Sequence, residues 1–134
     1  MNQYGYFGKE PASYHVTRRN LPTAWDFLYK NPRLLLAVDQ NGPVKVQTDP
    51  PVGIQLFRRE AQQLCSSWLV WLASPDFRQG AFTNFYKPFT GAQDPAVEPE
   101  KYEVKYTPYR AVYTLEHQDI RAITSFTLHP SNPD

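Results

Sequence analysis

The groups in this chain that could do chemistry are three histidines, one cysteine and a scattering of carboxylates. His15, His117 and His129 stand far apart and none is near the cysteine. A metal site needs clustered ligands at short, recurrent spacings, so no metal site is expected. His15 and His129 read as strand residues and His117 as a solvated turn residue. Cys65 has no base beside it in sequence to make its thiolate, which leaves it a buried structural thiol. Cleavage of a glycosidic bond uses a pair of carboxylates. Asp39, Asp76, Asp94, Glu98, Glu100, Glu103, Glu116 and Asp119 are available, mainly at turns and solvent-facing strand positions, and nothing in their spacing pairs any two. Gly5, Gly8, Gly42, Gly53, Gly80 and Gly91 are scattered, unlike a phosphate-binding loop. Arg18-Arg19 and Arg58-Arg59 are doublets, where phosphate recognition clusters several cations. These residues predict neither a catalytic set nor a cofactor.

The aromatic side chains are the more suggestive feature. Trp71, Phe77, Phe82, Phe85, Tyr86 and Phe89 fall in or beside a long Pro-, Gly- and Asp-rich stretch from Ser74 to Pro99. Long loops are uncommon unless they are functional or packed by their own side chains. Aromatic rings supply large contact area at low entropic cost, so these six are candidates for saccharide binding or for an interface. The competing reading folds them back over the core as its lid.

Such residues have to be positioned by strands. Aromatics make up 15% of the 134 residues and there are 13 prolines. Aromatic residues favour pleated surfaces, and proline is excluded from helix interiors. With 41% hydrophobic and 20% charged residues, a single globular domain over 1–134 is expected, mainly β with little helix. The formal net charge of +1 provides no long-range field to draw the chain to nucleic acid or an anionic membrane. No apolar run approaches the ~20 residues needed to span a bilayer. The polar, aromatic N-terminus does not resemble a signal peptide, and the lone thiol cannot form an internal disulfide. A cytoplasmic location is the expectation.

Along the chain, Tyr4/Tyr6 and Tyr14/Val16 alternate as two short strands around a Gly8–Ala12 turn. Pro22 to Tyr29 permits one helical turn that Pro32 would stop. Residues 33–48 read as a hairpin about Asn41-Gly42, a type I′ signal. Gly53 to Arg58 predicts a strand. Residues 57–65 show helical spacing, and strand followed by loop is preferred there. Ser66 to Ala73 is apolar on both faces, as a central strand would be. Tyr102–Tyr106, Ala111–Glu116 and Ile120–Leu128 predict three more strands, the last two flanking His117-Gln118-Asp119. Several short strands at this spacing indicate an antiparallel β-sandwich or a piece of one.

Tyr4-Gly5-Tyr6-Phe7, then Tyr14-His15-Val16-Thr17, then Leu21-Pro22-Thr23-Ala24-Trp25 resemble the start of the cellobiose and chitobiose phosphorylase family. Later pieces are similar in order: an apolar strand ending in Trp71 with Ser74-Pro75 after it, Tyr86-Lys87-Pro88, Tyr102-Glu103, and Ile120 to Pro130. The resemblance runs over nearly the whole chain and is most specific over the first twenty-five residues. It implies the first part of a mutarotase-like β-supersandwich, whose catalytic (α/α)₆ barrel lies elsewhere on a longer chain. Where that family continues its Tyr-Glu pair with a His-Gly step, this chain has Val104-Lys105-Tyr106-Thr107-Pro108-Tyr109, so no functional residue transfers from that motif.

The resemblance thus implies a non-catalytic domain in carbohydrate phosphorolysis or related oligosaccharide metabolism. Its partners would be a second copy or a catalytic chain, with oligosaccharide as a possible ligand. The alternative is an independent carbohydrate-binding module that uses the aromatic loop 74–90.

Overall fold

The structure is a computed structural model, and it describes residues 4–18, 21–48, 53–58, 71–72, 82–83 and 99–130. Within these residues there is no helix. The elements are β1 (Gly5–Phe7), β2 (Tyr14–Val16), β3 (Phe27–Lys30), β4 (Leu34–Asp39), β5 (Gly42–Thr48), β6 (Gln55–Arg58), β7 (Trp71–Leu72), β8 (Phe82–Thr83), β9 (Lys101–Tyr106), β10 (Arg110–His117) and β11 (Ile120–Thr127). Two antiparallel sheets carry the fold, in the orders β1-β2-β9-β10-β11 and β3-β4-β5-β6, and β7 pairs with β8 apart from them. The mainly β, sandwich-like architecture is therefore as the sequence pattern predicts.

Alternation makes the two sheets face each other. Val16, Val104, Tyr106, Tyr113, Leu115 and Phe126 point inward from the five-stranded sheet, and they meet Tyr29, Leu36 and Val38 from the four-stranded one. Phe27 stacks on Tyr106 across the gap, ring centroids 4.0 Å apart and ring planes almost parallel. Burial of these side chains, worth about 1.5–3 kcal/mol for each large one, holds the layers together. Hydroxyl groups then fix their registration. The Tyr113 hydroxyl donates to the Asp39 carbonyl at 2.6 Å, and the Tyr102 hydroxyl donates to the Gln40 carbonyl. The Gln40 side-chain oxygen accepts the Trp25 amide at 3.1 Å. One turn of the four-stranded sheet is thus held by three residues from outside it.

That turn departs from the sequence expectation. The closing pair is Asp39 with Gly42, so Gln40 and Asn41 are the central residues, and Gly42 alone takes a positive φ of 112°. Only glycine accepts that angle without strain. Asn41 therefore ends the turn and Gly42 opens β5, with a register shift in the same pair of strands between Ala37 and Val38. A type I′ turn would have needed positive φ at both central positions. Asp39 is also not at the surface: it is buried, and one carboxylate oxygen accepts the Asn41 amide at 2.7 Å.

Two further expectations are corrected. Pro22 to Tyr29 forms no helical turn; its last residues belong to β3, where Phe27 and Tyr29 face the core and Leu28 and Lys30 face out. A period of two won over local helical spacing because β4 offered pairing along the whole of β3. His129 lies beyond the end of β11 and is exposed, while His117 closes β10 and is half-buried. The remaining strands of the C-terminal third, the 33–48 hairpin and the β1–β2 hairpin stand where the alternation placed them. Residues 59–70 lie outside the described residues, and with them most of the ambiguous 57–65 segment and of the Ser66–Ala73 strand.

Candidate functional site

The outward face of the five-stranded sheet gathers several charged groups, among them Lys101, Glu103, Lys105, Glu116 and Arg121. Its register brings Tyr6, His15, Lys105, Val112 and Ser125 into one row across all five strands. In that row Tyr6 stacks on His15 with centroids 4.7 Å apart at 9°. His15 Nδ1 lies 2.8 Å from Glu103 Oε1, a contact in which the carboxylate accepts. The Gly8–Ala12 turn folds over the ring. A Cβ on Gly8 would stand 2.2 Å from Ser13 Oγ and 2.7 Å from His15 Nε2, so any side chain there would have to displace them. Glu10 then reaches Lys105 at 2.6 Å, and that hydrogen bond holds the Glu10 carboxyl below its ordinary range.

Ser13, His15 and Glu103 have the residue types of a nucleophilic triad, but the arrangement does not serve as one. The Ser13 hydroxyl donates to the Glu10 carbonyl at 3.0 Å, and Ser13 is only 2% exposed. Nothing presents that oxygen to a substrate. The three residues instead clamp β1 and its turn onto β9.

Beside the clamp is an open concavity of about 390 Å³, lined by Thr17, Glu100, Lys101, Tyr102, Glu103, Thr114, Glu116 and Arg121. Glu116 is shared by two cations, Lys101 Nζ at 2.7 Å and Arg121 Nε at 3.4 Å. The hydrogen bond from Lys101 lowers the Glu116 pKa and raises that of Lys101 in return. Glu100 accepts the Gln118 amide at 3.2 Å. Three carboxylates thus converge on one surface, although the sequence offered no reason to pair any of them. Cross-strand register did it: Glu103 is opposite Thr114, and Lys101 is opposite Glu116. Bond cleavage by a carboxylate pair needs one of the two kept protonated as the acid. Here Glu116 is held ionised by Lys101 and Glu103 is engaged with His15, so the concavity is equipped to bind rather than to cleave.

The inward face of β1 and β2 shows a different feature. Phe7 is 83% exposed, although it shares a face with buried Gly5. Its ring packs at 66° against Tyr14, centroids 4.9 Å apart. Tyr14 in turn meets Trp25 at 5.6 Å and 44°, and Trp25 meets Tyr4 edge-on at 6.3 Å. Four aromatic rings are thus linked: Tyr14 and Trp25 pack against the core, and Phe7 overhangs its covered part. None of these four rings is among the six aromatic candidates named from sequence. The available signal was the aromatic density of Tyr4 to Phe7 together with the alternation that puts Phe7 and Tyr14 on one side.

Of the six aromatic candidates named from sequence, Trp71 and Phe82 lie on β7 and β8, whose register sets Trp71 opposite Thr83 and Leu72 opposite Phe82. A short antiparallel ladder thus occupies part of what reads as loop. Phe77, Phe85, Tyr86 and Phe89 lie outside the described residues. Among the described residues no group of three or more His, Cys, Asp or Glu side chains is placed to hold a metal ion, and no helix is long and apolar enough to cross a membrane. A second concavity of about 380 Å³ lies between the sheets beside β11, with Leu34, Leu36, Val46, Phe126 and Leu128 in its wall. It is continuous with the core, since Phe126 packs edge-on against Tyr113 at 5.8 Å.

Compared with protein-family models, with curated proteins and with solved structures, the chain gave no match.

Proposed function

We propose that this chain is a non-catalytic β-sandwich domain whose role is assembly, in the setting of carbohydrate phosphorolysis or related oligosaccharide metabolism. The observation that carries the assembly role is the aromatic overhang, with Phe7 83% exposed on the inward side of its sheet. An inward-facing ring next to a packed core is the position that a further strand of the opposing layer would cover. Large exposed apolar groups mark interfaces, and aromatic anchors dominate their energetics. Ring orientation separates this role from flat stacking on a sugar chain. Phe7, Tyr14 and Trp25 are inclined to one another by 66° and 44°, so they form a knob and not a plane. The carbohydrate setting rests on the resemblance of the first twenty-five residues to the phosphorylase family.

The occupant of the overhang is a β layer from the remaining part of such a supersandwich, carried by the chain that holds the catalytic barrel, and a second copy takes its place when the chain is alone. At micromolar concentration the chain is then a dimer or larger, and Phe7→Ser returns it to monomer with an unchanged circular dichroism spectrum. A sharp monomer mass independent of concentration, with a cooperative melt, overturns the proposal. The chain by itself does not release sugar 1-phosphate from a disaccharide and inorganic phosphate. Phosphorolysis needs a positioned acid and a phosphate site, and the described residues present no such combination. Release above a buffer control would defeat the non-catalytic reading.

A further inference from the structure

The outward concavity of the five-stranded sheet is independent of the overhang, lying on the opposite face. We propose that it binds a neutral polyhydroxy compound, a sugar or a cyclitol, through Thr17, Lys101, Glu103, Thr114, Glu116 and Arg121.

The argument is one of matching hydrogen-bond types. The lining alternates donors and acceptors over adjacent strands about 4.8 Å apart. Lys101 and Arg121 retain N–H groups beyond those given to Glu116, because an ammonium has three donors and a guanidinium five. The carboxylates of Glu103 and Glu116 retain acceptor positions, and the hydroxyls of Thr17 and Thr114 do both. A ligand hydroxyl also donates and accepts at once, so vicinal hydroxyls can bridge such a surface without leaving a group unsatisfied. A charged ligand is at a disadvantage. Lys101 and Arg121 stand against Glu100, Glu103 and Glu116, and Glu103 also faces His15, so the lining presents no strong excess of either charge to attract one. The volume of about 390 Å³ lies within the range of small-molecule sites, ~300–1,000 Å³, and the open shape implies weak binding.

Three probes with one ring and three charges test this: glucose, glucose 6-phosphate and glucosamine, titrated into the isotopically labelled chain and followed by amide chemical shifts. The expected result is movement of the amides of residues 101, 103, 114, 116 and 121 with glucose, and about tenfold weaker binding of both charged analogues, equivalent to about 1.4 kcal/mol. Cellobiose and myo-inositol, run alongside, distinguish an oligosaccharide site from a general polyol site. Thr114→Val removes one hydroxyl at nearly constant volume and should weaken glucose binding several-fold with no change in melting temperature. Arg121→Gln should do the same should the threonine variant prove unstable. Absence of any shift at millimolar ligand, tighter binding of the phosphate or the amine, or shifts confined to Phe7 and Tyr14 would each overturn the proposal.

Discussion

The two faces of the five-stranded sheet are built from the same strands and have opposite characters. Inward, Val104, Tyr106, Tyr113 and Leu115 are fully or almost fully buried, and two tyrosine hydroxyls reach carbonyls of the other sheet. Outward, the alternate residues Glu103, Lys105, Thr114 and Glu116 are half-buried, with the three charged ones in ion pairs that solvent can reach. Burial makes the first face expensive to disturb. Screening makes the second cheap to rearrange, because exposed ion pairs contribute little to stability. A ligand can therefore compete for the outward groups without threatening the fold.

The largest expected effect is alkaline. Burial pushes the Tyr29 hydroxyl from its ordinary pKa of 10.0 up to about 12, and raises those of Tyr106 and Tyr113 as well. Unfolded tyrosines ionise near 10, while the folded ones hold their protons. The stability from this face is thus whole below about pH 10 and is lost as pH rises toward the folded values. Each proton that only the unfolded chain releases lowers stability by about 1.4 kcal/mol per pH unit. The late part of the tyrosinate absorbance, from the buried rings, should rise together with the loss of strand circular dichroism. Full tyrosine ionisation with the strands intact would break the contrast between the faces.

Two conservative substitutions sharpen it. Tyr113→Phe strands the buried Asp39 carbonyl and should cost about 1–3 kcal/mol. The Tyr106 hydroxyl is buried beside that of Tyr113 and has no well-formed hydrogen bond, so Tyr106→Phe should be neutral or stabilising. Paired denaturant melts measure the difference, and equal losses would show that the hydroxyl of Tyr113 has no special weight.

On the outward face, Gly8→Ala drives a Cβ against Ser13 Oγ and His15 Nε2. Both are side-chain ends that can shift, so the cost should be about 1 kcal/mol, the low end for overpacking. It should appear as faster amide exchange in β1 before any other strand. Uniform loss of protection would mean that the hairpin is no weaker than the core.

The smallest effect belongs to Glu116→Gln. The melting temperature at neutral pH should hardly move, and added salt should not change that. The carboxyl is held below 4.5 by Lys101, so its small contribution is present above the ordinary carboxylate pKa and fades as pH falls through the lowered value. The variant should lack that acid-side component. A large loss at neutral pH would place Glu116 among the structural residues.

Legibility differed with the range of the interactions. The β9–β11 strands and the β1–β2 hairpin could be read directly, because period-two alternation in Tyr102 to Tyr106 or Ile120 to Thr127 is a local property. The 21–30 region could not. Trp25, Leu28 and Tyr29 also satisfy a helical spacing, and pairing of Phe27–Lys30 with Leu35–Val38 decided the outcome. The Asn41-Gly42 signal located the turn correctly and misjudged its type, since the bulge after Ala37 moved the closing pair to Asp39 and Gly42.

For the sites the division is sharper. Composition and alternation by themselves determined a mainly β chain with two-faced strands, because proline, aromatic and apolar positions constrain the backbone residue by residue. They also determined that Glu103, Lys105 and Glu116 would face away from Val104, Tyr106 and Leu115. Which outward residues meet was decided only in the tertiary structure. His15 reaches Glu103 across 88 positions, and Thr17 shares a concavity with Arg121. Register between strands distant in sequence sets such meetings, and register follows from how the whole inner face packs. The same holds for Phe7: its side of the strand is set by alternation, but its exposure depends on how far the opposing sheet extends.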